Sequence, residues 1–158
     1  MNIKNIIFVF CCLLLTACGG QKQSGHVFNI LDFGAVGDGK ADDAPAIQAA
    51  VDACTKAGGG RVLVPAGHTF LCSPFKLASF VELHLEANSR LLANPDETVY
   101  TESAFRENRG EGMMWISGKN LKQVSITGTG TIDGNGVAFM GKELEGIARI
   151  AGEGLAVG

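Results

Sequence analysis

The sequence contains few of the residues from which metal, catalytic and nucleic-acid sites are commonly built. It has three histidines, one tryptophan and one tyrosine among 158 residues. The histidines, His26, His68 and His84, are scattered and lack acidic or cysteine partners at the spacing of metal ligands. The sequence therefore predicts neither a zinc site nor a catalytic triad. A basic cluster is also absent, so nucleic-acid binding has no electrostatic support.

The chain has no apolar run long enough to cross a bilayer. The continuous apolar block at residues 6–15 has roughly half of the about 20 residues that a spanning helix needs. That is the length of the hydrophobic region of a signal peptide. The glycines of GAVGDGK at 34–40 lack the lysine and serine or threonine of a phosphate-binding loop in register. They predict a turn, and no cofactor is expected.

The segment after the apolar block is more specific. Leu15, Thr16, Ala17 and Cys18 precede two glycines and a polar stretch, which resembles the lipobox of bacterial lipoproteins. We predict a signal peptide at 1–17, a lipidated Cys18 and a flexible tether over 18–26. The protein would be exported and anchored to a membrane through acyl chains, at the outer membrane, periplasm or cell surface of a bacterium. An ordinary secretory signal is the alternative.

The cysteines outside that motif leave one question open. Of five cysteines, Cys11 and Cys12 lie in the predicted signal and Cys18 carries the lipid. Cys54 and Cys72 remain, and they could form a disulfide in an oxidising compartment. Two separate buried thiols are the alternative, because cysteine packs as a small hydrophobe.

One helix is predicted at about 43–57. Ile47, Val51 and Cys54 recur at spacings of four and three, which gives a narrow apolar face. Alanines between them supply helix propensity. The glycines at 58–60 mark the end of the helix.

The adjacent aspartates Asp42 and Asp43 precede this helix. Paired carboxylates act as acid and base in many hydrolases. At a helix start, an ionised carboxylate can instead accept hydrogen bonds from the free N–H groups of the first turn. Neighbouring side chains there also point in different directions. We therefore assign the pair to the helix start and not to catalysis.

Short strands follow the helix. In VELHLE at 81–86, apolar and polar residues alternate, which indicates a strand with one buried face. Apolar strands reappear about every twenty residues, a spacing that favours a solenoid over a sandwich. The predicted strands are RVLVP (61–65), TFLC (69–72), VELHLE (81–86), RLLA (90–93), MMWIS (113–117), QVSITG (123–128) and GTIDG (130–134).

The chain contains, in order, FNILDFGAVGDGKADDAPAIQAAVDAC, GGGRVLVPAGHTFL, LASFVELHLEANSRLLA and VSITGTGTIDGNG. This combination, within residues 28–136, resembles the amino-terminal part of glycoside hydrolase family 28, the polygalacturonase family. The resemblance implies an all-β fold, a right-handed parallel β-helix (solenoid) capped at its amino-terminal end by the helix. It assigns 27–136 to the first coils. Residues 137–158 are a poorly matched tail, and the chain is expected to be truncated or frame-shifted.

The resemblance also implies an activity. Members of the family hydrolyse α-linked galacturonide chains in pectin, so pectic polysaccharide or an oligogalacturonide is the expected partner. They act by inversion: one carboxylic acid protonates the leaving oxygen while other carboxylates activate a water on the opposite face. Neither a metal nor a cofactor is implied.

The family's catalytic blocks are missing from this sequence. They lie on middle coils as Asn-Thr-Asp, Asp-Asp, Gly-His-Gly and Arg-Ile-Lys. The first, third and fourth do not occur, and Asp42 with Asp43 belongs to a different block. We therefore predict no catalytic, cofactor-binding or metal-binding residue in this chain, and no hydrolysis by the chain as given.

Two further residues have structural interpretations. Asp133 in GTIDGNG follows a strand and precedes glycine, where aspartate commonly stabilises a turn. Trp115 lies in the apolar stretch MMWIS and is predicted to be buried in the coil interior. With Tyr100 as the one tyrosine, the chain is not expected to form a rich aromatic platform for sugar rings.

Two other classes of function remain open. The stretches DFGAVGDG and GGGRVLVPAG also resemble the start of pectate-lyase-like and tailspike-type β-helix proteins. A lyase would need calcium-binding carboxylates and a catalytic arginine downstream. A non-catalytic surface lipoprotein that binds glycan along the solenoid is the other alternative.

Overall fold

The computed structural model describes residues 25–104 and 113–139. The predicted signal peptide (1–17), lipidated Cys18, most of the tether and most of the tail at 137–158 lie outside these residues. The described elements include 3-10 helices at Ile30–Phe33 and Glu97–Val99. The others are β1 (Val27–Asn29), β2 (Asp38–Asp42), α1 (Ala44–Lys56), β3 (Gly60–Val64), β4 (Thr69–Cys72), β5 (Phe75–Lys76), β6 (Val81–Leu85), β7 (Arg90–Ala93), β8 (Ile116–Ser117), β9 (Ser125–Gly128) and β10 (Thr131–Asp133).

The strands form parallel sheets. One sheet has the order β1-β3-β6-β9, a second has β2-β4-β7-β10, and β5 pairs with β8. All of these pairings are parallel. Parallel neighbours cannot be joined by a hairpin, so each turn of the chain adds one strand to each sheet in succession. The predicted right-handed parallel β-helix is confirmed.

The register between coils agrees with the predicted period in one step and departs from it in the others. In the first sheet Val62 pairs with Leu83, and in the second Phe70 pairs with Leu91, which fits the predicted period of about twenty residues. About twice that interval separates Leu83 from its next partner Ile126, and Leu91 from Ile132, because the segment between β7 and β8 lengthens this coil. The four side chains that pair at the shorter interval are fully buried, and each contributes about 1.5–3 kcal/mol through burial. The inward positions of successive coils therefore stack as continuous apolar columns.

At the last described coil these columns become accessible. Ile126 pairs with Leu83 and Ile132 with Leu91, yet Ile126 is 47% and Ile132 42% exposed within the described parts of the chain. The two residues differ from their buried neighbours in position, not in chemistry. The apolar columns thus reach the surface at β9 and β10.

Helix α1 covers the opposite end of the coils. Its buried face comprises Ala44, Ala46, Ile47, Ala50, Val51 and Cys54, which confirms the helix predicted at about 43–57. At its end the Gly59 N–H donates to the Cys54 carbonyl at 2.9 Å. Gly59 has φ 113°, and a Cβ there would lie 2.6 Å from the carbonyl oxygen of Phe80. Glycine is therefore required where the chain leaves the helix and enters β3.

The roles of the two aspartates at the helix start differ from expectation. Asp43 is the N-cap residue but makes no side-chain capping bond. Its carboxylate is buried and accepts from the backbone N–H groups of Val36 at 2.6 Å and Gly37 at 3.1 Å. Asp42 Oδ1 accepts instead from Ala44 N at 3.1 Å, and also from Ser73 N at 2.9 Å.

The backbone explains this division. Capping side chains normally follow an extended N-cap backbone, whereas Asp43 has helical angles of φ −89° and ψ −2°. Its carboxylate instead reaches the turn that precedes β2, at Val36 and Gly37. Asp42 therefore contacts the first helical N–H, and Asp43 holds the turn against the helix. The turn predicted over 34–40 is shorter than expected, because residues from Asp38 onward pair with β4 as strand β2.

We expect Asp43→Ala to lower the free energy of unfolding by about 2–4 kcal/mol, because it leaves two part-buried N–H donors unsatisfied. Asp52→Ala is the matched control on the exposed face of α1, with an expected change within about 0.5 kcal/mol. Urea unfolding followed by circular dichroism measures both. Equal effects of the two substitutions would show that the Asp43 carboxylate does not hold the turn.

Candidate functional site

A row of polar side chains, the polar ladder, crosses the outer face of β3, β6 and β9. It consists of Arg61, Glu82, His84 and Thr127. Arg61 Nε and Nη2 donate to the two Glu82 carboxylate oxygens at 2.9 and 3.1 Å. Thr127 Oγ1 donates to Glu82 Oε1 at 2.6 Å. The hydroxyl proton is thereby used, so Oγ1 accepts from His84 Nδ1 at 2.8 Å.

The ladder keeps Glu82 ionised. The hydrogen bonds from Arg61 lower the pKa of Glu82 below its ordinary value of 4.5, and the Thr127 hydroxyl acts in the same direction. His84 Nδ1 lies 3.7 Å from Glu82 Oε1. This acidic partner was missed in the sequence, although the alternation in VELHLE places both side chains on one face. The carboxylate serves as an acceptor and is not free to act as a general acid.

An open groove of about 650 Å³ lies beside the polar ladder. Its lining includes Arg61, Glu82, Phe80, Gln123 and Ser125. The volume falls within the range of small-molecule sites. Its charged groups are paired with each other, so amide, hydroxyl and ring surfaces are left for a ligand. The described lining has no second carboxylate that could form an acid/base pair with Glu82.

On the second sheet, Asp133 stabilises a turn as predicted. Its Oδ1 accepts from Asn135 N at 2.7 Å, and its Oδ2 pairs with the Arg90 guanidinium. The hydrogen bond from Asn135, followed by that from Arg90, lowers the pKa of Asp133. The Asn135 amide donates to the Ala93 carbonyl at 2.9 Å. These bonds join β10 to β7 and leave Asp133 no catalytic partner among the described residues.

A second groove, the aromatic groove, has a volume of about 490 Å³. Tyr100, Trp115 and Phe139 line it together with Ala93, Glu97, Met113 and Gly134. The rings of Tyr100 and Phe139 meet edge to face, with their centroids 5.7 Å apart. Burial raises the pKa of Tyr100, and its hydroxyl donates to the Asn94 carbonyl at 2.8 Å.

The prediction that Trp115 is buried in the coil interior is wrong in part. One side of the indole packs against the core, and Nε1 donates to the Cys72 carbonyl at 2.9 Å. Another side lines the aromatic groove. Trp115 directly precedes β8, which pairs only with the short β5, so the edge of this sheet leaves part of the ring uncovered. The chain's one tryptophan and one tyrosine therefore share a surface that the sequence did not indicate.

Cys54 and Cys72 are free thiols, and both are buried. Of the two alternatives left open by the sequence, separate buried thiols describe the structure. Burial raises the pKa of Cys54. Burial also raises the pKa of Cys72, and the negative charges of Asp43 and Asp42 add to the effect. Both cysteines therefore act as core residues rather than nucleophiles.

Residues 25–104 and 113–139 show no group of three or more His, Cys, Asp or Glu side chains that could hold a metal ion. Over the same ranges, no helix combines the length and apolar character needed to cross a membrane. The lipid anchor predicted at Cys18 lies outside these ranges and stays a prediction.

The family described as "Rhamnogalacturonase A/epimerase, pectate lyase-like" matches residues 27–134, from β1 through β10. The chain belongs to this family. The resemblance to polygalacturonase-type, pectin-lyase-like proteins predicted from the sequence is thereby confirmed.

Individual relatives show how much of the chain is shared. A Vitis vinifera protein named "Probable polygalacturonase" is 37% identical over 123 residues, or 70% of this chain and 25% of its own length. The Family 28 exopolygalacturonase of Yersinia enterocolitica has a TM-score of 0.60 and 32% identity, covering 70% of this chain and 21% of its own. Mannuronan C5-epimerase AlgE1 of Azotobacter vinelandii is 59% identical over 54 residues, 30% of this chain and 4% of its own. The chain thus spans a quarter or less of each relative.

We expect Glu82→Gln to flatten the pH dependence of stability in the acid range. A carboxyl whose pKa is lowered by folding stabilises the protein above its unfolded pKa of about 4.3, and this contribution is lost as the pH falls through the folded value. The pair is partly exposed, so the effect is below about 1 kcal/mol. Urea midpoints between pH 7 and pH 3 measure it.

Arg61→Gln is the matched variant for this experiment. It removes the largest cause of the lowered pKa of Glu82 and is expected to flatten the curve in the same direction but less, because the Thr127 hydroxyl still lowers that pKa. Curves for both variants that run parallel to the wild type would contradict the assigned role of the polar ladder.

Proposed function

We propose that this chain is the amino-terminal part of a pectin-degrading glycosidase that hydrolyses α-1,4-galacturonide linkages with inversion. The observation that carries the proposal is the family match, which runs unbroken from β1 to β10. Identities of 37% and 32% to a grapevine relative named as a polygalacturonase and to the Yersinia exopolygalacturonase support the substrate class. Pectic polysaccharide is therefore the proposed partner.

In this proposal, the described residues supply the scaffold and the catalytic residues lie elsewhere in a longer protein. Inversion needs two carboxyl groups roughly 6.5–9.5 Å apart, with room for a water between them. The carboxylate of Asp43 is occupied by backbone N–H groups, and that of Glu82 by Arg61 and Thr127. The Asn-Thr-Asp, Gly-His-Gly and Arg-Ile-Lys blocks are absent from the sequence.

The outer faces of the coils suit a polymeric substrate. The polar ladder and its groove present paired charges, amides and hydroxyls on the surface of the first sheet. A polysaccharide lying across coils would meet these groups without any burial of a large apolar area. The cap helix α1 closes the end of the stack, so substrate contacts lie along the flanks of the solenoid.

The activity is tested by measuring the reducing ends released from polygalacturonate. We expect no release by the purified 158-residue chain. We expect release by a longer product of the same gene in which the four catalytic blocks follow residue 158 in order. Turnover by the 158-residue chain would contradict the assignment of catalysis to other coils, and an inactive longer product that carries the blocks would contradict the glycosidase.

The short match to mannuronan C5-epimerase, with 59% identity, favours a second candidate, an enzyme that abstracts the proton at C5 of a uronate. Incubation with polygalacturonate also separates hydrolysis from the reactions that begin with abstraction of the C5 proton. A lyase generates an unsaturated uronate that absorbs ultraviolet light, and an epimerase changes C5 without forming new chain ends. Hydrolysis forms new reducing ends without the unsaturated product.

We also propose that the protein is exported and held at a bacterial membrane by acyl chains on Cys18. Export would place the enzyme where polymeric substrate is found. Cys18→Ser is expected to abolish incorporation of a fatty-acid label and to move the protein into the soluble fraction, because the acyl chains are the anchor. Cys12→Ser, within the predicted signal, is the control and should keep the label. A labelled Cys18→Ser protein would contradict the anchor.

A further inference from the structure

We infer that the aromatic groove is a carbohydrate subsite for an uncharged pyranose unit, namely a methyl-esterified galacturonide. The groove is separate from the polar ladder, and nothing in the proposed hydrolysis uses it. The identity of the sugar rests on the proposed function, and the remainder rests on the geometry and charge of the groove.

The first argument is the orientation of the rings. Trp115 Nε1 donates to the Cys72 carbonyl at 2.9 Å, and the Tyr100 hydroxyl donates to the Asn94 carbonyl at 2.8 Å. The polar end of each ring is therefore satisfied within the protein. The surface that these two rings present to the groove therefore consists of carbon atoms. The same hydrogen bonds fix the orientation of both rings before a ligand binds. Such rigid aromatic surface suits the apolar C–H face of a sugar ring.

The second argument is size. The groove has a volume of about 490 Å³, within the roughly 300–1,000 Å³ of small-molecule sites. Phe139 extends the surface beyond Tyr100, since the two rings meet edge to face. Tyr100 and Phe139 thus form one joined aromatic surface, and Trp115 lines the same groove.

The third argument is charge. Glu97 is the charged residue in the groove lining, and it is exposed. Two basic residues among those that the structure describes, Arg90 and Lys76, are already paired with Asp133 and Glu102. No cation in the described lining is available for a carboxylate, and Glu97 repels one. An unesterified galacturonide is disfavoured, whereas its methyl ester has no charge and keeps the same ring.

The test uses the intrinsic fluorescence of the 158-residue protein, because Trp115 is its one tryptophan and lines the groove. The probes are methyl-esterified trigalacturonide, unesterified trigalacturonide and a neutral galacto-oligosaccharide. We expect a saturable change of emission with the ester, and a Kd at least about tenfold lower than for either other probe. No response to any probe, or equal or tighter binding of the unesterified or neutral sugar, would overturn the inference.

Matched variants locate the binding. Glu97→Gln is expected to narrow the difference between the ester and the acid to about threefold or less, because the repelling charge is gone. Tyr100→Ala is expected to weaken ester binding about tenfold. Tyr100→Phe keeps the aromatic ring and is expected to bind the ester as the wild type does. Asp52→Ala, on the exposed face of α1 and outside both grooves, should change nothing.

Circular dichroism melts confirm that each variant is folded. Unchanged ester binding in folded Tyr100→Ala, or an ester/acid difference in Glu97→Gln equal to that of the wild type, would overturn the assignment. Reducing-end release from polygalacturonate reports the proposed function independently. Release by the longer product that carries the four catalytic blocks, without a fluorescence response of the 158-residue protein, removes the subsite alone. Ester binding by the 158-residue protein, with no release by that longer product, removes the glycosidase alone.

Discussion

The structure depends on the stacking of apolar side chains from one coil onto the next. Val62 lies against Leu83 and Phe70 against Leu91, and all are excluded from water. One coil cannot bury its own inward face, so each coil is stable only with a neighbour on both sides. Helix α1 takes the place of the missing neighbour at the amino-terminal end. Where no described element does so, Ile126 and Ile132 are exposed.

The same stacking explains the buried Asp43. Helix α1 covers the apolar side chains of the first coil only if its position against that coil is fixed. The Asp43 carboxylate provides this by binding the N–H groups of Val36 and Gly37, which lie in the turn before β2. A carboxylate buried with satisfied hydrogen bonds is costly to remove but stable while paired. In the sequence, Asp42 and Asp43 look like a catalytic pair of carboxylates. The hydrogen bonds that the Asp43 carboxylate accepts from Val36 and Gly37 give it a structural role.

Because the interior is filled by stacked apolar residues, ligand contacts are confined to the outer faces and the loops. The two grooves differ in chemistry for this reason. The polar ladder is built from regular strand positions, where pairing in register sets Arg61 beside Glu82 and His84 beside Thr127. The aromatic groove lies apart from these positions: Tyr100 and Trp115 come from the described residues between β7 and β8, and Phe139 follows β10.

The sequence by itself determined the helix, most of the strands in the two larger sheets and the family, because each depends on local alternation and spacing. It also indicated that Asp133 stabilises a turn. It did not indicate β2, which falls in the stretch predicted as a turn, or the length of the last described coil. Only the tertiary structure decided that Asp42 rather than Asp43 contacts the helix start, and that Tyr100 and Trp115 share a groove. The physical reason is that both outcomes depend on contacts between residues far apart in the chain, such as Asp42 with Ser73 and Trp115 with Cys72. Such contacts are set by how coils stack and leave no local pattern.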